Sequence, residues 1–282
     1  MPRLDWLFSH AVRLGNTMVT IRKGYVDCSE GQIHYREAGS PENPTICFLH
    51  QTASTGAMFE KVLAILGADY HCYALDTPGF GQSFQPASIP DLQYPARLLL
   101  EAIEALGVSE FHLCGHHTGG CIAVEMPAIT PISIKSLSII GPVLVTEEQR
   151  QEYMKTFVKP FETEESGEFL MTAWNYLALI GAAETLELRV REMHDHLIAN
   201  KTMPMAFSAV WQQDFEAVYR GLETPLLVMC SEDDVLWPLF ERALEVRRDA
   251  ASAVVKGGDF QPDNDPQSVA EALGRFISKI EG

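Results

Sequence analysis

The sequence predicts an α/β fold: a mostly parallel, doubly wound sheet with a block of helices inserted after its sixth strand. Three observations point to it. Short apolar runs alternate with helical stretches through the first half of the chain, the alternation stops from Val143 to about Tyr219, and it resumes to the C-terminus. Alternation of this kind gives a parallel sheet covered on both faces. A helical block between two of its strands caps their carboxyl ends, where such sheets bind ligands.

The elements follow in order. Leu4, Leu7, Ala11, Val12 and Leu14 recur at helical spacing, so a short helix is expected over 3–15. Met18–Asp27 and Gln32–Glu37 flank Ser29-Glu30-Gly31 and read as a hairpin. Strands are expected at Thr45–Leu49, His71–Leu75, Phe111–Cys114 and Leu137–Ile140, with helices around 57–67, 91–106 and 119–128. After the helical block come strands at Pro225–Cys230 and Ala253–Lys256 and helices at Pro238–Arg248 and Pro266–Ile280. Asp265 and Pro266 supply the N-cap and first-turn residues of the last helix. The expected organisation is an α/β core of residues 1–142 and 220–282, with 1–17 as an N-terminal helical extension, and a helical cap of residues 143–219.

A chain of 282 residues that is 46% apolar can build a large core. Its 21 Lys+Arg stand against 38 Asp+Glu, a net charge of −17 that repels phosphate backbones and anionic lipid. The expected partner is therefore a small-molecule substrate, not nucleic acid or membrane, with a homodimer through the N-terminal helix as an option. No apolar run approaches the roughly 18 residues that cross a bilayer. Met1–Met18 mixes Arg3, Asp5, His10 and Arg13 among its apolar residues, so a cytoplasmic protein is expected. Cys47, Cys72, Cys114 and Cys230 lie in short apolar runs as small buried hydrophobes, and no C-x-x-C pair suggests a metal or redox site.

The chemistry concentrates where strand Phe111–Cys114 runs into Gly115-His116-His117-Thr118-Gly119-Gly120 and then a helix. This is the strand–turn–helix context of the nucleophile elbow, G-x-S-x-G, whose central residue occupies a strained backbone conformation between small neighbours. At this motif the chain resembles the α/β-hydrolase family, from roughly Gly24 to the C-terminus and in the order of a capped member. His50-Gln51-Thr52 stands at the family's oxyanion loop, and Asp76-Thr77-Pro78-Gly79-Phe80-Gly81-Gln82-Ser83 matches its D-x-x-G-x-G-x-S turn. Ser231-Glu232-Asp233-Asp234-Val235-Leu236-Trp237-Pro238 matches the segment with the family's acid, and Gly257-Gly258-Asp259-Phe260 stands where the family carries its basic histidine.

Two departures change the expected chemistry. His117 replaces the elbow serine and Asp259 replaces the histidine, so an ordinary Ser-His-Asp acyl-enzyme cannot form at these positions. An imidazole on the elbow and a carboxylate on the last loop have a similar summed reach, so a His117–Asp259 hydrogen bond is expected. Asp234 is the second available partner, and Asp263 takes the role if the last loop is shifted. A carboxylate raises the pKa of the ring and burial lowers it. A histidine so held serves as a general base. The elbow would aim the N–H groups of Thr118 and of Gln51 or Thr52 at a developing oxyanion. His50, His116 and Trp211 complete the expected pocket, with His116 and His50 also open to purely structural roles.

The expected function is a cofactor-free, metal-free hydrolase cleaving an ester, lactone or similar activated carbonyl compound. In it His117 would act on water in place of a serine nucleophile. The alternatives are a cofactor-free lyase, C–C-cleaving or oxygenase enzyme using the same His–Asp base, and an inactive ligand-binding protein.

Overall fold

A computed structural model gives the fold. It describes residues 19–282 apart from Pro131 and Ala183, together with a two-residue antiparallel pairing of Arg13–Leu14 with Thr17–Met18. The helix expected over 3–15 otherwise lies outside the described residues.

Among the described residues eight strands form one sheet: β1 (Arg22–Cys28), β2 (Gly31–Ala38), β3 (Thr45–Leu49), β4 (His71–Leu75), β5 (Glu110–His116), β6 (Ser133–Ile140), β7 (Leu226–Ser231) and β8 (Ala251–Val255). Their order is β8-β7-β6-β5-β3-β4-β2-β1. The β1–β2 hairpin and the β2–β4 pairing are antiparallel, and the remaining pairings are parallel. The sheet is thus mostly parallel, and its centre is apolar on both faces. Along β3, Cys47 and Leu49 join one buried layer while Ile46 and Phe48 join the other, the two-residue alternation of a strand covered from both sides.

Helices α1 (Glu60–Leu66) and α11 (Pro266–Glu281), the latter entered through the single turn α10 (Gln261–Asn264), cover one face through Leu63, Val269, Leu273 and Ile277. Helices α2 (Gln93–Ala105) and α3 (Thr118–Ile129) cover the other through Leu99, Ile103 and Val124, next to α9 (Trp237–Val246). Asp265 caps α11 by accepting from Ser268 N, so the chain enters that helix as its sequence indicates.

Between β6 and β7 the described residues form five α-helices: α4 (Glu147–Thr156), α5 (Glu168–Leu179), α6 (Leu186–Ile198), α7 (Met203–Gln212) and α8 (Phe215–Arg220). The insertion is fastened to the core by buried polar contacts from α6. Arg191 makes a two-pronged pair with Asp263 at 2.7 and 2.6 Å and also reaches Glu192. Glu192 accepts from Ser54 Oγ at 2.6 Å, and Asp195 from Thr55 Oγ1 at 3.1 Å. Bidentate guanidinium–carboxylate pairs are among the stronger hydrogen bonds in proteins. Asp76 does more than close its own turn. Its carboxylate also receives Arg36, His34 and Gly56 N, partners that outweigh its burial and hold its pKa down to about 2.

The elbow depends on close backbone approach. A Cβ on Gly119 would lie 2.2 Å from Leu49 O, whereas one on Gly120 would press only on Ile139 Cγ2, at 3.1 Å, with Gly115 O at an ordinary 3.4 Å. Gly119→Ala is therefore expected to lower stability by about 1–3 kcal/mol in urea unfolding, and Gly120→Ala by clearly less, because a side chain can yield where a strand backbone cannot.

Candidate active site

Strand β5 ends at His116 and α3 begins at Thr118, leaving His117 at the turn with φ 47° and ψ −109°. It is the only non-glycine residue with positive φ among the described residues. Such a conformation persists where surrounding bonds fix it. Here His117 N donates to Ile140 O at 2.9 Å and His117 O accepts from Cys121 N at 3.0 Å. The ring lies over Gly141, where a Cβ would come within 2.2 Å of its Cδ2.

His117 Nε2 donates to Asp234 Oδ2 at 2.9 Å. Asp234 sits just after β7 with its side chain fully buried, and it accepts two further hydrogen bonds. Leu236 N donates to Oδ1 at 2.7 Å and Gln261 Nε2 donates to Oδ2 at 2.6 Å. The same Gln261 accepts from His116 Nε2 at 2.7 Å through its Oε1. His116 in turn stacks on His117, with centroids 4.3 Å apart and planes at 29°. His117 Nδ1 has no hydrogen-bond partner among the described residues, nor is it one of the sealed polar atoms.

The expected His117–Asp259 hydrogen bond is corrected: the ring's partner is Asp234. Asp259 is held at home, its Oδ1 accepting from Val235 N at 2.9 Å and its backbone oxygen from Gln51 Nε2 at 2.9 Å. It acts on His117 only through its charge. Asp263 is no partner either, being paired with Arg191.

Burial pulls the pKa of His117 down, but the charge of Asp234 and their hydrogen bond outweigh it, and the value is raised. For Asp234 burial pushes up, while the His117 charge, its hydrogen bond and the Leu236 amide push down harder, and the value is lowered. Burial and the neighbouring Asp234 push Asp259 up to about 6 against the opposing charge of His117. His116 is held well below the ordinary histidine value by burial and by His117, so it stays neutral.

The remaining expected pocket residues separate. His50 spends both ring nitrogens on the backbone: Nδ1 donates to Gln51 O at 2.8 Å and Nε2 accepts from Thr77 N at 2.9 Å. It pins the β3 loop to the turn after β4 and offers no free nitrogen to a ligand. His116 is completely buried. Trp211 packs on α7 against Tyr153, Phe157 and Phe207, with its Nε1 sealed and unpaired. Thr118 is the first residue of α3, so its N–H is one of the donors a helix start leaves without an intrahelical partner. Gln261 and Gly141 were invisible to sequence reasoning, because no motif marks an amide two residues beyond Asp259 or a glycine after β6.

His116, His117 and Asp234 offer ligand atoms within 4.8 Å of one another, a spacing a metal ion can use. The amide of Gln261 already bridges His116 and Asp234, so these residues form a hydrogen-bond chain. Among the described residues the cysteines are free thiols, and no helix is long and apolar enough to cross a membrane.

The sequence profile of the alpha/beta hydrolase fold family matches residues 44–249. The chain belongs to that family. It is 27% identical over 158 residues to the haloalkane dehalogenase of Bradyrhizobium diazoefficiens, covering 50% of each chain's length. It is 22% identical over 267 residues to the uncharacterized hydrolase YugF of Bacillus subtilis, covering 87% of this chain and 94% of the relative. The chain spans only a quarter to a half of the length of the first curated relatives it matches. The crystal structure of a hydrolase from Pseudomonas aeruginosa superposes with a TM-score of 0.74 at 22% identity, over 90% of this chain and 98% of that one. That likeness is one of fold.

Substituting the acids separates their effects on His117. In Asp234→Asn, burial acts with little opposition, and ¹⁵N NMR is expected to show the His117 midpoint falling below its ordinary 6.5. Asp259→Asn is expected to lower the midpoint by less. The raised His117 value means the pair stabilises the fold fully below 6.5 and loses that contribution as pH climbs through the folded-state value. The lowered Asp234 value means its share holds above 3.8 and is lost as pH falls through the folded-state value. The stability of wild type over Asp234→Asn is therefore expected to be greatest between these limits and to narrow on either side.

Proposed function

We propose that the protein is a hydrolase of esters, lactones or related activated carbonyl compounds, with His117 as general base on water. The observation that carries this reading is the elbow imidazole, its Nε2 tied to Asp234 and its Nδ1 left without a protein partner. A carboxylate only accepts, so Nε2 carries the ring proton and Nδ1 presents the lone pair. In the familiar triad the acid binds Nδ1 and Nε2 is the base; here the histidine enters from the elbow and the two nitrogens exchange tasks.

The reaction balances without a covalent intermediate. Nδ1 takes a proton from water as the water oxygen bonds to the carbonyl carbon, and Asp234 stabilises the imidazolium that forms. The backbone N–H of Thr118, with that of Gln51 or Thr52, receives the negative charge on the carbonyl oxygen. The tetrahedral species then breaks its bond to the leaving oxygen, which recovers the proton from Nδ1, giving acid and alcohol. The helices between β6 and β7 form the cap that keeps bulk water from this step. The hydrolases among the chain's relatives support the general class.

His117→Ala is expected to reduce kcat/KM by about 10²–10⁴-fold toward an ester and lactone panel. Hydrolysis in ¹⁸O-labelled water should place the label in the carboxylate product; a carboxylate or ketone product without it indicates proton abstraction or C–C cleavage by the same base. Full turnover in His117→Ala contradicts the proposal. A serine-directed phosphonate is expected to leave no adduct, since Ser54 donates its hydroxyl into buried Glu192. Stoichiometric serine labelling would place the nucleophile elsewhere.

The base must be unprotonated, so kcat/KM is expected to rise with pH through a midpoint above the ordinary histidine value, matching the raised His117. A limb centred well below that value contradicts the assignment.

A further inference from the structure

We propose that Gln261 is a positioning residue for the His117–Asp234 pair, its buried amide holding the Asp234 carboxylate against His117 and fixing where the proton sits on His116. The inference rests on the reading of His117 as the base and adds to it what sets the ring's proton affinity.

The amide's direction follows from its neighbours. An ionised carboxylate only accepts, so the NH2 group of Gln261 faces Asp234 Oδ2, 2.6 Å away. Its carbonyl is thereby turned to His116 Nε2 at 2.7 Å, and a carbonyl also only accepts, so that nitrogen carries the His116 proton. His116 Nδ1 is left with a lone pair and is sealed without a partner. Buried unpaired polar atoms are few in folded proteins. The orientation of the amide makes this one a lone pair and not an N–H.

The arrangement bears on His117 in two ways. Gln261 and His117 donate to the same oxygen, Oδ2, while Leu236 N occupies Oδ1. The amide spreads the carboxylate charge and moderates its pull on the imidazolium. His116, stacked on His117, is kept neutral and adds no second positive charge beside it. The titratable groups facing His117 are Asp234 after β7, Asp259 after β8 and His116 from β5, with His50 from the end of β3 facing His116. Gln261, fully buried, bonds to Asp234 and His116 at once.

The test is titration of the ring nitrogens in the full ¹⁵N-histidine-labelled chain, together with the pH dependence of kcat and KM toward an ester the wild type hydrolyses. Gln261→Met keeps the volume and removes both hydrogen bonds. It is expected to move the His117 midpoint up by about one pH unit and to lower kcat about ten-fold at neutral pH. KM should change less than about two-fold, and the loss should shrink as pH rises. Gln261→Glu can share one proton with Asp234, retaining a donor toward that oxygen and an acceptor toward His116. It is expected to keep the wild-type midpoint while that proton remains, and to raise it once the second carboxylate ionises. An unmoved midpoint in folded Gln261→Met, or a kcat loss equal at every pH, overturns the proposal. If Gln261→Met does not fold, an unmoved midpoint across the whole titration of Gln261→Glu overturns it. The titration needs no substrate. An inert wild type whose midpoint shifts as expected would refute the hydrolytic reading and leave the positioning role standing.

Discussion

The site depends on a hydrogen bond that has to survive burial. An imidazole out of contact with water resists protonation, and a carboxylate there resists ionisation. Each of His117 and Asp234 reverses the other's tendency across 2.9 Å, raising the histidine and lowering the acid. Breaking a buried pair by removing one member leaves the other charge uncompensated, which typically costs about 3–5 kcal/mol. The same bond selects the tautomer, and with it the nitrogen that can act.

The fold supplies the geometry of that bond from three directions. The turn between β5 and α3 holds His117 with φ 47°, the loop after β7 brings Asp234, and the segment after β8 brings Gln261 and Asp259. All three lie beyond the carboxyl ends of parallel strands, β5, β7 and β8, so the sheet brings together residues far apart in sequence. The glycines explain why the turn is tight: Gly119 lets α3 approach β3, and Gly141 lets the ring come close to the backbone after β6. Farther out, Arg191, Asp263, Glu192 and Ser54 tie α6 to the loops that border the site.

Much of this was legible from residues alone. Thr45–Leu49 and His71–Leu75 agree with the sequence reading to the residue, because each is a short apolar run with polar or turn-forming residues at both ends. Strand β6 begins at Ser133, before the expected Leu137, because Ser133 and Ser136 carry polar side chains while their backbones still pair with β5, on either side of an irregularity at Lys135. The hairpin's first strand starts at Arg22, later than the apolar residues Met18 to Ile21 suggest. The elbow could be read from its glycines. The choice between Asp234 and Asp259 could not, because both loops reach the site. What decides it is a local matter: Val235 N captures Asp259 Oδ1, and Leu236 N with Gln261 orients Asp234. Gln261 carried no signal, since its importance lies in two contacts made across the fold.

The chemistry of the site turns on one proton on the His117 ring. The ¹⁵N shifts of His117 in the wild-type protein, recorded above its titration midpoint, report which nitrogen bears that proton. Nε2 is expected to be protonated and Nδ1 unprotonated and pyridine-like. A neutral ring protonated at Nδ1, or one exchanging evenly between the two forms, would contradict that assignment.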